Sequence, residues 1–309
     1  MTPLPSPQQL RYLVTLAETL HVGRAASACA VSQSTLSTGI IALERALDAP
    51  ILDRSAGRRV VFTTFGLELV GHARAALAAL QAIADAADAA RAPLTGQLRL
   101  GVIPTIGPFL LPRLVPALRK AYPGLRLFLR EDVTARLLDD LAVRRLDLLI
   151  LAEPYPSGGV EMLPVARDEF MAALPEAHPL AAERAVPAAA LARETMLVLE
   201  DGHCLRDQVL SACRAAMPER GFAATSLHTL VQMVGCGLGV TLLPRLAALG
   251  GVAEGSGVVL RPLEGAGAWR TISLAFPPGD PRMAEYRSLG PAVAAALTGA
   301  GFTLPRGEW

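Results

Sequence analysis

At 309 residues the chain exceeds one comfortable core, and roughly 150 residues per domain predicts two or three compact units. It is 52% hydrophobic, 18% charged and 5% aromatic, which excludes a disordered tail and fits a globular protein. Its 29 basic residues, of which only Lys120 is lysine, leave a net charge of +1, so nucleic acid is not bound by bulk charge alone, though a local basic patch is allowed.

The opening MTPLPSPQQL has no basic region followed by an apolar run, so a cytoplasmic chain is expected. The uncharged window 221–244 is long enough to span a bilayer, but His228, Gln232, its glycines and Pro244 make it a helix, a turn and a strand. The alanine-rich stretch 69–92 carries His72, Arg74, Asp85, Asp88 and Arg91, and no membrane partner is expected. In a reducing compartment the cysteines Cys29, Cys204, Cys213 and Cys236 should form no structural disulfide. A cysteine pair with a task there is catalytic or redox-sensing.

Leu10, Leu13, Val14, Leu16 and Ala17 recur at helical spacing and predict a first helix from about Pro7 to Leu20. A short helix fits Gly23 to Cys29, and Ser32 is a good N-cap for a third helix reaching Leu47. Pro50 then breaks the chain. Ile51–Leu52, the turn 55–57 and Val60–Phe62 read as a small hairpin, which completes a winged helix-turn-helix. A long helix follows from Thr64 to Arg91. Leu69, Leu77, Leu80, Ile83 and Ala87 form a thin apolar stripe on it, suited to pairing with a second helix.

From Gly96 the pattern changes. Strands at 98–104, 125–131 and 146–152 alternate with helices at 108–121 and 134–143, which predicts a mainly parallel α/β sheet. Further strands are expected at 169–173, 196–199, 240–243 and 272–276, with helices at 204–216, 227–234 and 282–297. Two α/β lobes joined by crossing strands accommodate these elements.

In a helix-turn-helix the second helix of the motif enters the major groove and its first side chains meet base edges. Here those are Ser32, Gln33, Ser34, Thr35 and Ser37. Gln33 can pair bidentately with adenine, and the hydroxyls can serve bases or phosphates. Arg54, Arg58 and Arg59 on the hairpin suit phosphates or the minor groove. Residues 1–74 hold seven arginines against five acids, so non-specific affinity should be modest.

The sharpest chemical motif is Gly202-His203-Cys204-Leu205-Arg206-Asp207-Gln208, with Cys213 downstream. Cys204 is expected at a helix N-terminus, where the dipole favours a thiolate, with His203 and Arg206 adding positive character. Nine residues along one helix advance about 13.5 Å and leave the two cysteines on opposite faces. A disulfide needs Cα atoms within about 7 Å, so the helix would have to unwind for the pair to bridge. Cys236 reads as a core thiol, and Cys29 as packing inside the first domain. No metal-ligand cluster, phosphate-binding glycine loop or hydrolase triad spacing is visible.

The N-terminal segment resembles LysR-type transcriptional regulators in Leu10, Ala25–Ala26, Val31-Ser32-Gln33, Leu36-Ser37, Ile40, Leu43-Glu44, Leu52 with Arg54, and Phe62-Thr63 before Gly66. Gly39, Ile41 and Ala42 depart from the polar residues common there, Asp48 replaces the usual helix-ending glycine, and Phe65 replaces a small residue. The likeness continues through both lobes. The run GHCLRDQ with its second cysteine, together with GVIPTIGPFLLP and RTISLAF, is similar to the hydrogen-peroxide-sensing members of that family.

The resemblance implies an α/β protein with a winged helix-turn-helix (1–64) and a linker and dimerisation helix (65–93). A two-lobed, periplasmic-binding-protein-like effector domain would follow, lobe I being 94–168 with 273–305 and lobe II 169–272. It implies a peroxide-sensing, DNA-binding regulator of oxidative-stress genes, not an enzyme. Cys204 would react and Cys213 would resolve it to a disulfide. Thr105, Thr134, His203 and Arg270 would surround the peroxide, with Arg206 and Asp207 in support. No cofactor or metal is implied. The implied partners are promoter DNA, further copies of the chain as a dimer or tetramer, RNA polymerase and a thiol reductant. A LysR-type regulator binding a small organic effector with inert cysteines is the alternative, and a thiol peroxidase is a third possibility that the DNA-binding domain argues against.

Overall fold

A computed structural model describes residues 4–53, 59–89, 94–156, 158–213, 223–264 and 268–298. The chain forms two compact units, Met1–Ala87 and Asp88–Trp309.

The first unit opens with α1 (Pro7–Thr19), which Ser6 and Gln9 start as a reciprocal capping box. The short α2 (Val22–Ala28) and α3 (Gln33–Leu47) follow. Ala30 in the intervening turn takes a left-handed φ of 55°. Ser32 caps α3 as expected, its hydroxyl accepting from the Thr35 amide at 3.1 Å. Leu13, Leu16, Leu36, Ile40 and Leu43 bury against one another, each worth roughly 1.5–3 kcal/mol.

The family departures at Gly39 and Asp48 have local causes. A Cβ on Gly39 would stand 2.6 Å from the ring of buried Tyr12, so only glycine lets α1 and α3 close this tightly. Asp48 ends α3 with a left-handed φ of 49°, a conformation aspartate tolerates better than most residues.

Among the described residues the hairpin shows one bridge, Leu52 with Phe62. Buried Glu44 holds its entry by accepting the Ile51 and Leu52 amides at 2.9 and 3.1 Å. Arg54, Arg58 and the turn 55–57 lie outside the described residues, and Arg59 is exposed. The long helix α4 spans Thr64–Ala89. Gly66 lies so close to the chain at residue 51 that a Cβ would come 2.2 Å from the Ile51 oxygen.

The second unit runs β1 (Gly96–Val102), α5 (Gly107–Ala121), β2 (Leu125–Glu131), α6 (Thr134–Ala142), β3 (Leu148–Glu153) and β4 (Glu161–Pro175). After a 3₁₀ turn come α7 (Ala188–Leu191), β5 (Val198–Leu199), α8 (Cys204–Cys213), β6 (Ala223–Ala224), α9 (Leu227–Gly235) and β7 (Thr241–Pro244). The chain ends with α10 (Arg245–Leu249), β8 (Val258–Pro262), β9 (Trp269–Phe276) and α11 (Met283–Thr298). Among the described residues no single helix is long and apolar enough to cross a membrane.

The main sheet has the order β2-β1-β3-β9-β4-β7, with β8 also on β4. The pairs β1–β2 and β1–β3 are parallel, but β3–β9, β9–β4, β4–β7 and β4–β8 are antiparallel. The expectation of a mainly parallel sheet is therefore corrected to a mixed one. The reason is that β4 and β9 cross between the lobes side by side in opposite directions. The expected strand 169–173 is only the end of this 15-residue β4. Pro164, at a register shift between Pro164 and Ala166, interrupts the strand pattern in the sequence.

Candidate functional site

The described cysteines are all free thiols. Cys204 begins α8 and Cys213 ends it, and both are buried, at 3% and 2% exposure. The two therefore sit at opposite ends of an intact helix. Leu197, just before β5, is held by the Thr241 hydroxyl at 2.7 Å, and the chain then turns into α8 through Gly202, whose φ is +94°. The Glu200 amide is bound by the Ala224 carbonyl at 3.0 Å, which fixes the base of this turn.

Around Cys204 the elements converge from both lobes. Thr134 is the first residue of α6, is 1% exposed, and its hydroxyl has no well-formed hydrogen bond. It stands beside the thiol and acts as a donor that favours the ionised sulfur. Arg270 comes from β9 and is fully buried. Its Nη1 donates to Thr105 Oγ1 at 2.7 Å and its Nη2 to the Thr105 carbonyl at 3.0 Å. Its Nε donates to Asp168 Oδ2 at 2.9 Å. Because the Thr105 hydroxyl accepts from the arginine, its own proton remains available to donate.

Burial pushes the Cys204 thiol above its ordinary value, while Arg270, Thr134 and the backbone amides of residues 204 and 205 pull the other way. The expected thiolate-favouring helix end is present, but desolvation outweighs it. The expected cationic help from His203 and Arg206 is corrected as well. Burial lowers the half-buried His203 imidazole below its ordinary value, against an opposing pull from Glu200, so it is neutral at pH 7. Arg206 pairs with Asp201 at 3.1 Å and also reaches the Leu199 carbonyl at 3.4 Å. The positive charge acting on the thiol comes from Arg270 instead. Asp207 is exposed, and its charge acts on Tyr155, which also lies within reach of the charge on Cys204.

Burial alone raises the Cys213 thiol to about 11. Cys236, expected as a core thiol, is exposed, because it caps the C-terminus of α9 just before the turn at Gly237. Cys29 is half-buried against the first unit's core.

Sequence reasoning assigns no role to two residues of this site: Gln208, which ends the cysteine motif, and Asp168, which lies far from it. Gln208 is buried and donates to the carbonyls of Ala152 and Pro154 at 3.1 and 3.2 Å. Its position four residues after Cys204, on the same helical face, is the clue that could have found it. Asp168 lies 102 residues before Arg270, and only strand pairing joins them. Among the described residues no group of three or more His, Cys, Asp or Glu could hold a metal ion.

On the DNA-reading side, Ser32, Gln33, Ser34 and Thr35 are exposed at the start of α3 and Ser37 is half-buried. Ser32 is committed to the cap and lies within hydrogen-bond distance of the Ser34 and Thr35 hydroxyls, at 2.8 and 2.7 Å.

Residues 7–67 match the bacterial regulatory helix-turn-helix protein, lysR family, and residues 91–297 match the LysR substrate binding domain. The chain belongs to the lysR family. The family member described as the DNA-binding transcriptional dual regulator OxyR of Escherichia coli K12 is 41% identical over 294 residues, 94% of this chain and 96% of that one. A hydrogen peroxide-inducible genes activator of Haemophilus influenzae is 40% identical, covering 93% of this chain and 95% of its own. Among solved structures of lysR-family proteins, a full-length OxyR of Pseudomonas aeruginosa with one cysteine replaced by aspartate is 35% identical. It superposes with a TM-score of 0.75 over 94% of this chain and 98% of its own. A Corynebacterium glutamicum OxyR with a cysteine replaced by serine, described as bound to hydrogen peroxide, gives 0.67 at 31% identity over 97% and 95%.

Proposed function

We propose that this lysR-family regulator senses hydrogen peroxide at Cys204 and converts the oxidation into a change in how it binds promoter DNA. The single observation that carries this reading is the buried Cys204 thiol at the start of α8, with Arg270 and the Thr134 hydroxyl both acting on it. The relatives named for peroxide supply its chemical direction.

The Cys204 thiolate attacks one peroxide oxygen. The S–O bond forms, the O–O bond breaks, and hydroxide leaves and is protonated to water. Sulfur is oxidised to sulfenic acid and peroxide is reduced. The resting thiol is largely protonated at neutral pH, so catalysis rests on stabilising the transition state rather than on a stored thiolate. Arg270, Thr105 and Thr134 are the donors for the ionised sulfur and the departing oxygen. Cys213 then gives up its thiol proton, displaces the sulfenic oxygen as water and forms the disulfide. That step requires α8 to unwind. His203 precedes Cys204 as a neutral group, and Arg206 and Asp207 belong to the first turn of α8, which must unwind.

The reading assigns residues 1–64 to DNA reading, with Gln33 facing bases, Ser32, Ser34, Thr35 and Ser37 serving bases or phosphates, and Arg54, Arg58 and Arg59 facing phosphate or the minor groove. Residues 65–93 serve self-association, as a dimer or tetramer. The lobes 94–168 with 273–305 and 169–272 form the sensor. RNA polymerase is the partner for activation, a thiol reductant resets the switch, no cofactor takes part, and the site of action is the cytoplasm. Counting free thiols before and after one equivalent of hydrogen peroxide, with peptide mapping, tests this. A 204–213 disulfide is expected, and an unchanged thiol count overturns the reading in favour of an organic effector.

A further inference from the structure

Asp168 is fully buried on β4, directly across from Arg270 on β9. Its two oxygens are divided between two tasks. Oδ2 takes the Arg270 Nε–H at 2.9 Å, and Oδ1 takes the Leu246 amide at 3.0 Å, in the first turn of α10. A further pull from the Arg245 amide acts on the same carboxylate. Arg270 spends its other two nitrogens on Thr105, which follows β1 in the first lobe. The pair thus spans from α10 in the second lobe to Thr105 in the first and holds the cation that acts on Cys204.

We propose that Asp168 is a positioning residue for the peroxide reaction, acting through Arg270. A guanidinium is planar and its donors diverge in fixed directions. With Nε held by Asp168, the plane cannot turn, and both Nη groups remain on Thr105. Released at Nε, the side chain keeps its charge but loses one fixed orientation. Asparagine cannot replace the carboxylate. It has one acceptor oxygen, while the Arg270 Nε–H and the Leu246 N–H are both donors facing opposite oxygens, so one of the two bonds must be lost. Donors aimed at developing charge lose their effect when displaced by about an ångström.

The inference rests on Cys204 being the peroxide-reactive thiol, and the experiment separates the two. Full-length reduced Asp168→Asn is mixed with hydrogen peroxide, and Cys204 sulfenic acid and disulfide are quantified by mass spectrometry against time. Alkylation of Cys204 by iodoacetamide is followed across pH on the same samples. The expected result is a peroxide rate constant at least about tenfold lower. Alkylation at alkaline pH should change less than about threefold, with its pH midpoint moved upward. Arg270→Lys should show a similar loss, because one ammonium cannot serve Asp168 and both Thr105 oxygens. Adding Asp168→Asn to it should then cost little more. If Asp168→Asn does not fold, Arg270→Lys alone carries the test, and a native peroxide rate there overturns the proposal. A peroxide rate within twofold of the unsubstituted chain overturns it too. So does a downward midpoint, which would make Asp168 a counter-charge that suppresses the thiolate. A chain that reacts natively with no Cys204 product removes the parent reading instead.

Discussion

The Gln208 side-chain amide donates to the Ala152 carbonyl at 3.1 Å, and so ties the helix that runs from Cys204 to Cys213 to the end of β3. The same Nε2 group also donates to the Pro154 carbonyl at 3.2 Å. Since the disulfide can form only when α8 opens, this tie stabilises the reduced state alone. Gln208→Ala should cost the reduced protein roughly 1–2 kcal/mol. Hydrogen exchange of amides 205–213 should quicken by up to about thirtyfold before oxidation, and disulfide formation after sulfenic acid should speed up. Unchanged exchange in α8 would show that the tie does not limit its opening.

A pH dependence follows from the buried Cys213 thiol. Burial raises Cys213 from 9.0 to about 11, so between those values the unfolded chain gives up this proton while the folded chain keeps it. The folded state binds more protons in that window, so stability falls as pH rises through it. The loss begins near pH 9, is complete above pH 11, and amounts to about 3 kcal/mol for this group. Cys213→Ala should flatten the decline in urea midpoint relative to the native chain. An equal decline in both would mean that the thiol is not buried when folded.

Much of this arrangement is legible in the residues themselves. The caps at Ser6 and Ser32, the apolar spacing of α1 and α3, and the cysteine at a helix start each express a local rule. The protonation of Cys204 is not local. A helix N-terminus favours a thiolate, but 3% exposure reverses the balance, and burial depends on chain segments far apart. Asp168 is invisible for the same reason, since β4 and β9 are far apart in sequence and meet only as neighbours in the sheet. Pro164 conceals the start of β4 because it breaks the pattern by which strands are recognised.

Gly39 sets two effects against each other. Alanine would gain about 1 kcal/mol of helix propensity in α3. Its Cβ would also enter the Tyr12 ring at 2.6 and 2.8 Å, and Tyr12 is held by Gln8 at 2.6 Å from its hydroxyl. Overpacking of this kind costs roughly 1–3 kcal/mol, so the collision wins or at least cancels the gain. Thermal unfolding of the isolated transition of the first unit should show Gly39→Ala no more stable than the native chain. A clear rise in Tm would mean that Tyr12 moves aside without cost.

Base reading and backbone holding should separate by substitution. Gln33 is exposed at the first turn of α3, and Arg59 is exposed beside the hairpin. Gln33→Ala should cost about 1–3 kcal/mol at the preferred promoter site and little on random DNA. Arg59→Ala should weaken both about equally and reduce the salt dependence by about one phosphate contact. Binding isotherms at several salt concentrations distinguish them, and equal losses on both DNAs for Gln33→Ala would remove it from base recognition.

The stripe on α4 divides into two parts with different tasks. Leu69 and Leu77 pack against the first unit's own core, together with buried Val70 and Ala73. Further along, Leu80 is 44% exposed and Ile83 is 69% exposed, while the Ala87 side chain lies outside the described residues. The first pair stabilises the N-terminal unit; the second pair is largely exposed in a single chain and is the part available to another helix. Ile83→Glu should therefore leave the unfolding of the first unit unchanged and weaken self-association. Leu77→Ala should do the reverse, lowering stability by about 1–3 kcal/mol for a partly buried leucine. Sedimentation velocity at micromolar concentration reads the first effect and chemical denaturation the second. A native chain that sediments as a monomer would remove self-association altogether, and an Ile83→Glu variant that associates as tightly as the native chain would assign it to a surface other than α4.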